Sequence, residues 1–172
     1  EPGIDHMTEN TTIEHQVIVE PDTVGLYARS SKNTRCTHCT LFGSASAVVG
    51  FAADKPQASE GGGGCAGDCA PSAYAEDTLV TNFTRGAGFS FDNQADWAIE
   101  YSNAWNNSTN YSPYDSHVTN SMSVDPRLGT CKVWFPDSSP MKRAGKNGAD
   151  IGANVLYRYQ DGVLTTQPLW DP

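Results

Sequence analysis

The feature that most constrains this chain is a short pattern that recurs along it: an apolar or small residue, a polar residue two places on, then a small, amide or sulfur residue. Cys36, His38 and Cys39 fill the three places inside the stretch 33–43. Ile13, His15 and Gln16 fill them upstream, while Leu79, Thr81 and Asn82, then Ile99, Tyr101 and Ser102, then Val118, Asn120 and Ser121 fill them downstream. The anchors Ile13, Cys36, Leu79, Ile99 and Val118 stand 23, 43, 20 and 19 residues apart, the long interval being two periods or one period with an insertion.

A second apolar segment follows most anchors, at 24–28, 47–51 and 88–91. Short apolar runs with period-2 alternation, punctuated by Gly, Asn, Asp and Ser, are strand signals. Their recurrence every 20 to 25 residues or so points to a solenoid in which each repeat buries its apolar face against the next. A leucine-rich repeat has a similar period but demands a regular Leu consensus that this chain lacks.

These residues resemble the right-handed parallel β-helix superfamily, which includes pectate lyases, other polysaccharide lyases, phage tailspikes and surface adhesins. The resemblance covers residues 10–129 and rests on the rung pattern, not on a catalytic signature. It implies an all-β solenoid of about five coils, each with three short strands, and stacked Asn or Cys side chains in the tight turn after the second strand. Cys39 and Asn82 would occupy that turn. Further on, Ser139-Pro140, Gly145 and Asp150-Ile151-Gly152-Ala153 resemble the segment that closes the solenoid in extracellular β-helix proteins. Asp161-Gly162 is a hairpin-turn signal between 155–159 and 163–166, and that hairpin is expected to cap the C-terminal end.

The chain therefore reads as one domain, with coils over about 11–135, an inserted Gly- and Cys-rich loop over about 55–72 and a C-terminal cap over about 136–172. A parallel β-helix needs cover over its first open coil, so the chain is expected to be the C-terminal part of a longer protein. Alternation assigns Ile13, Val17, Val19, Leu26 and Ala28 to the interior of the first coil, and Cys36, Leu41, Val49 and Phe51 to that of the second. Leu79, Phe83, Phe89 and Phe91 fill the third.

A formal net charge of −9 argues against a nucleic-acid partner, since phosphate binding needs clustered Lys and Arg and only Lys142, Arg143 and Lys146 are grouped. An acidic surface is ordinarily a solvated one, with calcium as the one cation it would suit; no metal site is expected. No apolar run approaches the roughly 20 residues that span a bilayer.

Cys36-Thr37-His38-Cys39 fails as a haem attachment because position 40 is Thr instead of His. As a zinc knuckle it needs two more ligands, which Cys65 and Cys69 supply only if the Gly-rich loop folds back. A redox pair wants a helix N-terminus. Cys36 is expected to pack in the core and Cys39 to sit in the turn stack, with the zinc site as the alternative. Cys65 and Cys69 are expected to form a local disulfide, and Cys131 to be a buried thiol on an alternating strand, 130–134. The Asp-Asp pair and Gly-His-Gly of the polygalacturonase-like branch are absent.

A uronate lyase uses Lys or Arg as base and a cation to neutralise the substrate carboxylate. The nearest approach is Tyr27, Arg29, Asp54 and Asp92 on the face following the third turn, with His38 on a neighbouring face, a group that could bind an acidic sugar. Trp105, beside the polar run 106–113, is the best ring for stacking on a sugar, the other tryptophans suiting core or cap. The expected function is an extracellular structural or surface module that binds carbohydrate, with polysaccharide or other cell-surface components as partners. The alternative is a polysaccharide lyase acting on acidic glycans.

Overall fold

The structure, a computed structural model, describes residues 8–29, 31–54, 72–91, 96–129, 132–153 and 157–168. After a short lead-in strand, β1 (Thr8–Glu9), the first coil consists of β2 (Thr12–Glu14), β3 (Val17–Val19) and β4 (Val24–Arg29). The second begins at β5 (Ser31–Lys32), which pairs with β1, and continues through β6 (Thr34–Thr37), β7 (Thr40–Phe42) and β8 (Val49–Asp54). The third is β9 (Ser72–Glu76), β10 (Leu79–Thr81) and β11 (Ala87–Ser90), and the fourth β12 (Asp96–Glu100), β13 (Asn103–Trp105) and β14 (Thr109–Ser112). A partial fifth coil contributes β15 (Val118–Thr119) and a single bridge from Met122 to Asn103.

Strands of equal rank stack in parallel into three sheets: β2-β6-β9-β12-β15, β3-β7-β10-β13 and β4-β8-β11-β14. The chain is a parallel β-helix, as its repeat predicts. The antiparallel hairpin of β16 (Tyr157–Gln160) and β17 (Val163–Pro168) also forms where Asp161-Gly162 signals it.

Inward-facing side chains form columns one rung apart, about 4.8 Å. Ile13, Cys36, Ala75, Ile99 and Val118 line the first sheet; Ile18, Leu41, Val80 and Ala104 line the second; Leu26, Phe51, Phe89 and Tyr111 line the third. The Phe89 and Tyr111 rings stack at 5.6 Å. Cys36, Leu41 and Phe51 are fully buried, whereas Ile13, Ile18 and Leu26 of the first coil are only half-buried, having no rung beneath them among the described residues. Gly50 fits this column because an added Cβ would lie 2.2 Å from a Val80 methyl and 2.5 Å from the Gly88 carbonyl.

The corners make the stacking specific. Between the first and second strands, His15, His38, Asp77, Tyr101 and Asn120 all take left-handed backbone, with φ of 49–52°. At the next position the Cys39 N–H donates to Thr78 Oγ1 (3.4 Å), the Thr78 N–H to Ser102 Oγ (3.2 Å) and the Ser102 N–H to Ser121 Oγ (3.1 Å). Each hydroxyl in turn donates to the carbonyl two residues back in its own coil. Amides do similar work at the other corners, where Asn106 Nδ2 donates to Asn82 Oδ1 (2.6 Å) and Asn33 Nδ2 to Asn10 Oδ1 (2.8 Å).

The third-coil anchor is thus Ala75-Asp77-Thr78, not Leu79-Thr81-Asn82, so the anchor intervals become 23, 39, 24 and 19 residues. Cys39 lies at the first corner and Asn82 at the second, not in one turn. Ile18, not Val17 and Val19, faces the core because the corner at His15 resets the alternation. Cys36 and Cys39 are buried as expected but are bonded to each other: the corner brings their Cα atoms to 6.3 Å, within disulfide reach. Cys65, Cys69 and Cys131 lie outside the described residues.

Beyond the fifth coil the chain leaves the stack and runs back along the outside of the second sheet. Val124 exchanges two 3.0 Å hydrogen bonds with the Asn103 amide on β13. Phe135, Met141 and Ile151 cover Leu79 on β10, which faces outward, contrary to its core assignment. The Ala153 N–H donates to Thr40 Oγ1 on β7 (2.9 Å), and Lys132 pairs with Glu20 beside β3. Lys132 and Val133 form a turn, not the strand expected over 130–134. The segment resembling a closing motif is therefore, from Ser139 to Ala153, a strap along the side of the solenoid.

Replacing Ser102 with Ala leaves the buried Thr78 N–H without its acceptor and is expected to cost about 1–3 kcal/mol in urea denaturation. Ser102→Thr keeps the hydroxyl and should recover most of that loss, since Thr78 occupies the equivalent rung.

Candidate functional site

Among the described residues, the fifth coil gives a strand to the first sheet and a bridge to the second but nothing to the third, so β14 is the last described strand of that sheet. A parallel strand turns alternate N–H and C=O groups to each side, and those on the outer side of β14 therefore face no strand. The space a fifth strand would fill is an open cleft of about 360 Å³, lined by Asn110, Tyr111, Tyr114, Ser121, Met122 and Ser123.

Tyr111 is its floor. As the last ring of the interior column it is almost completely buried, and its hydroxyl donates to the Met122 carbonyl (2.5 Å). Burial pushes this phenol well above its ordinary value, against the opposing pull of its hydrogen bonds, and it stays neutral. Tyr114 is the wall. It follows a cis Ser112-Pro113 bond, packs against Tyr111 at 5.7 Å between ring centroids and leaves 73% of its surface exposed. An aromatic ring held against a second ring, with amide and hydroxyl groups converging beside it, suits a ligand with both apolar and hydroxylated faces.

A second group lies where the strap crosses the first corner. His15 and His38 stack at 5.0 Å. His38 Nδ1 faces the Asp150 carbonyl at 3.3 Å and Nε2 lies 3.6 Å from Asp77 Oδ2. Asp77, 2% exposed, accepts the Lys146 N–H (2.7 Å) and presents its own carbonyl to the Gly152 N–H (2.7 Å). Burial raises the Asp77 carboxyl above its ordinary value, while the Lys146 N–H and His38 oppose the shift. Lys146 also pairs with Glu76, which stacks on Glu100 in the first sheet. With both His38 nitrogens and both Asp77 oxygens facing protein groups, this cluster docks the strap on the first corner. Gly152, at φ +103°, lies where a Cβ would meet Phe135 at 2.7 Å and Thr40 Oγ1 at 2.8 Å.

The strap also bounds a polar cleft of about 610 Å³ lined by Asp137, Ser139, Lys142, Arg143 and Asp150. Asp150 already accepts Lys142 Nζ (2.8 Å) and the Arg143 N–H (2.9 Å). Burial alone would raise its carboxyl, but those two donors prevail and hold it below the ordinary value.

Of the group proposed from sequence, Tyr27, Arg29 and Asp54 fall on the adjacent strands β4 and β8. Tyr27 is 47% exposed on the third sheet, where register places Arg29 opposite Asp54 at the far ends of β4 and β8. His38 is at the first corner and Trp105, 37% exposed, ends β13 at the second corner. Asp92 lies outside the described residues. Trp97 is buried against Phe91 and His117, in keeping with a core role. Tyr114 was missed because it sits in no rung; its signal is an isolated aromatic after Pro113 in an otherwise polar run. Comparison with protein families, curated proteins and solved structures returns no match.

Asp150→Ala should lower stability at pH 7 by about 1 kcal/mol through loss of the two strap hydrogen bonds. The carboxyl titrates below its ordinary 3.8 in the folded chain, so its contribution is full above that pH and is lost as pH falls through the folded value. The gap between wild type and variant should therefore narrow in thermal melts taken at successively lower pH beneath 3.8.

Proposed function

We propose that this chain is an extracellular, surface-exposed β-helix module that binds carbohydrate in the cleft beside Tyr114. The observation that carries this is the exposed Tyr114 ring, seated on Tyr111 at the β14 edge of the third sheet. Sugar rings present C–H faces that stack on aromatic surfaces and hydroxyl groups that pair with amides, hydroxyls and free backbone edges. Asn110, Ser121 and Ser123, with the outer edge of β14, supply such groups. Asn110 is held on β14 and Ser121 by the corner ladder, which reduces the entropy cost of presenting them to a ligand.

The lyase alternative rests on Arg29 opposite Asp54 and lies on a different part of the surface. It predicts an unsaturated uronate product with ultraviolet absorbance, lost in Arg29→Ala.

Titration with an oligosaccharide panel, followed by calorimetry, tests the carbohydrate-binding proposal. Tyr114→Ala is expected to weaken binding about tenfold or more, equivalent to about 1.4 kcal/mol, with an unchanged melting temperature because the ring is mostly solvent-exposed. Equal affinity in the variant, or no binding by any sugar, would refute it.

A further inference from the structure

We infer that the cleft beside Tyr114 selects neutral sugars and discriminates against uronic acids. This rests on the carbohydrate-binding proposal above and specifies the ligand class of that site. Among the described residues the lining is Asn110, Tyr111, Tyr114, Ser121, Met122 and Ser123, none of which carries a charge at neutral pH. The one titratable group on the floor, the Tyr111 phenol, is held neutral by burial and has its proton committed to the Met122 carbonyl.

A sugar carboxylate placed here would lose part of its hydration shell without gaining a cation. The nearest charges in sequence make matters worse. Asp115 follows Tyr114 directly and is kept ionised by the His117 N–H and ring, which hold its carboxyl below the ordinary range. His117 is in turn committed: its Nδ1 contacts Asp115 at 2.8 Å and its ring stacks on Trp97 at 4.6 Å. The grouped cations Lys142, Arg143 and Lys146 are on the strap, where Lys142 is paired with Asp150 and Lys146 with Glu76. The chain as a whole, at −9, repels an anion at low ionic strength.

The discriminating experiment uses matched oligosaccharides of one linkage that differ only in carrying CH₂OH or carboxylate at C6, titrated at low and at physiological salt. The neutral oligomer is expected to bind about tenfold tighter or better, with an affinity insensitive to salt, while added salt narrows the difference by screening the uronate's repulsion. Ser123→Lys, which places a cation in the cleft lining, should shift the ratio of the two affinities toward the uronate. Tighter uronate binding by the wild type overturns the selectivity but leaves carbohydrate binding standing; failure of both oligomers, across linkages, removes the proposal beneath it as well.

Discussion

Everything in this fold depends on hydrogen bonds and burial that no single coil can supply for itself. The strand N–H and C=O groups point along the solenoid axis, so each finds partners only in the coil above or below. The same is true of the interior: Phe51 is fully buried because Phe89 lies on it, and Leu26, with a neighbour on one side only, is not. The corner ladder from Cys39 through Thr78 and Ser102 to Ser121 extends this accounting into the turns, where a mismatch of one residue would leave buried N–H groups without acceptors. Register is therefore fixed at the corners as firmly as in the strands.

This explains which parts of the fold were legible from sequence. The period, the parallel stacking and the C-terminal hairpin each leave a local pattern, and the structure contains all three. The phase was harder. Both corners use a left-handed polar residue, Asp77 at the first and Asn82 at the second, so a pattern anchored on Leu79-Thr81-Asn82 takes the second corner for the first. Alternation failed at Ile18 for a related reason, since the left-handed His15 between β2 and β3 shifts which side chains turn inward. Leu79 looked like core and is buried, but under the strap, and a local pattern cannot report a cover that arrives from residues 135–151. The candidate site left the faintest trace: Tyr114 belongs to no strand, and its neighbours across the cleft come from the next coil.

Strap and cleft arise from one decision of the chain. By leaving the stack at Val124 to bond with Asn103, it covers the outer face of the second sheet and forgoes a fifth strand in the third. The aromatic column that would have continued upward ends instead at Tyr111, with Tyr114 laid against it. Among the described residues, part of that end is an open cleft lined with hydrogen-bonding groups.

The strap has a mechanical consequence. Stacked repeats normally peel from either end one at a time, because each touches only its neighbours. Here Lys132 reaches Glu20 and Ala153 reaches Thr40, contacts that bridge 112 and 113 residues of sequence. Detaching the first coil therefore breaks the Lys132–Glu20 pair as well as its rung hydrogen bonds, and detaching the second breaks the Ala153 bond, so neither of these coils is held by its neighbours alone.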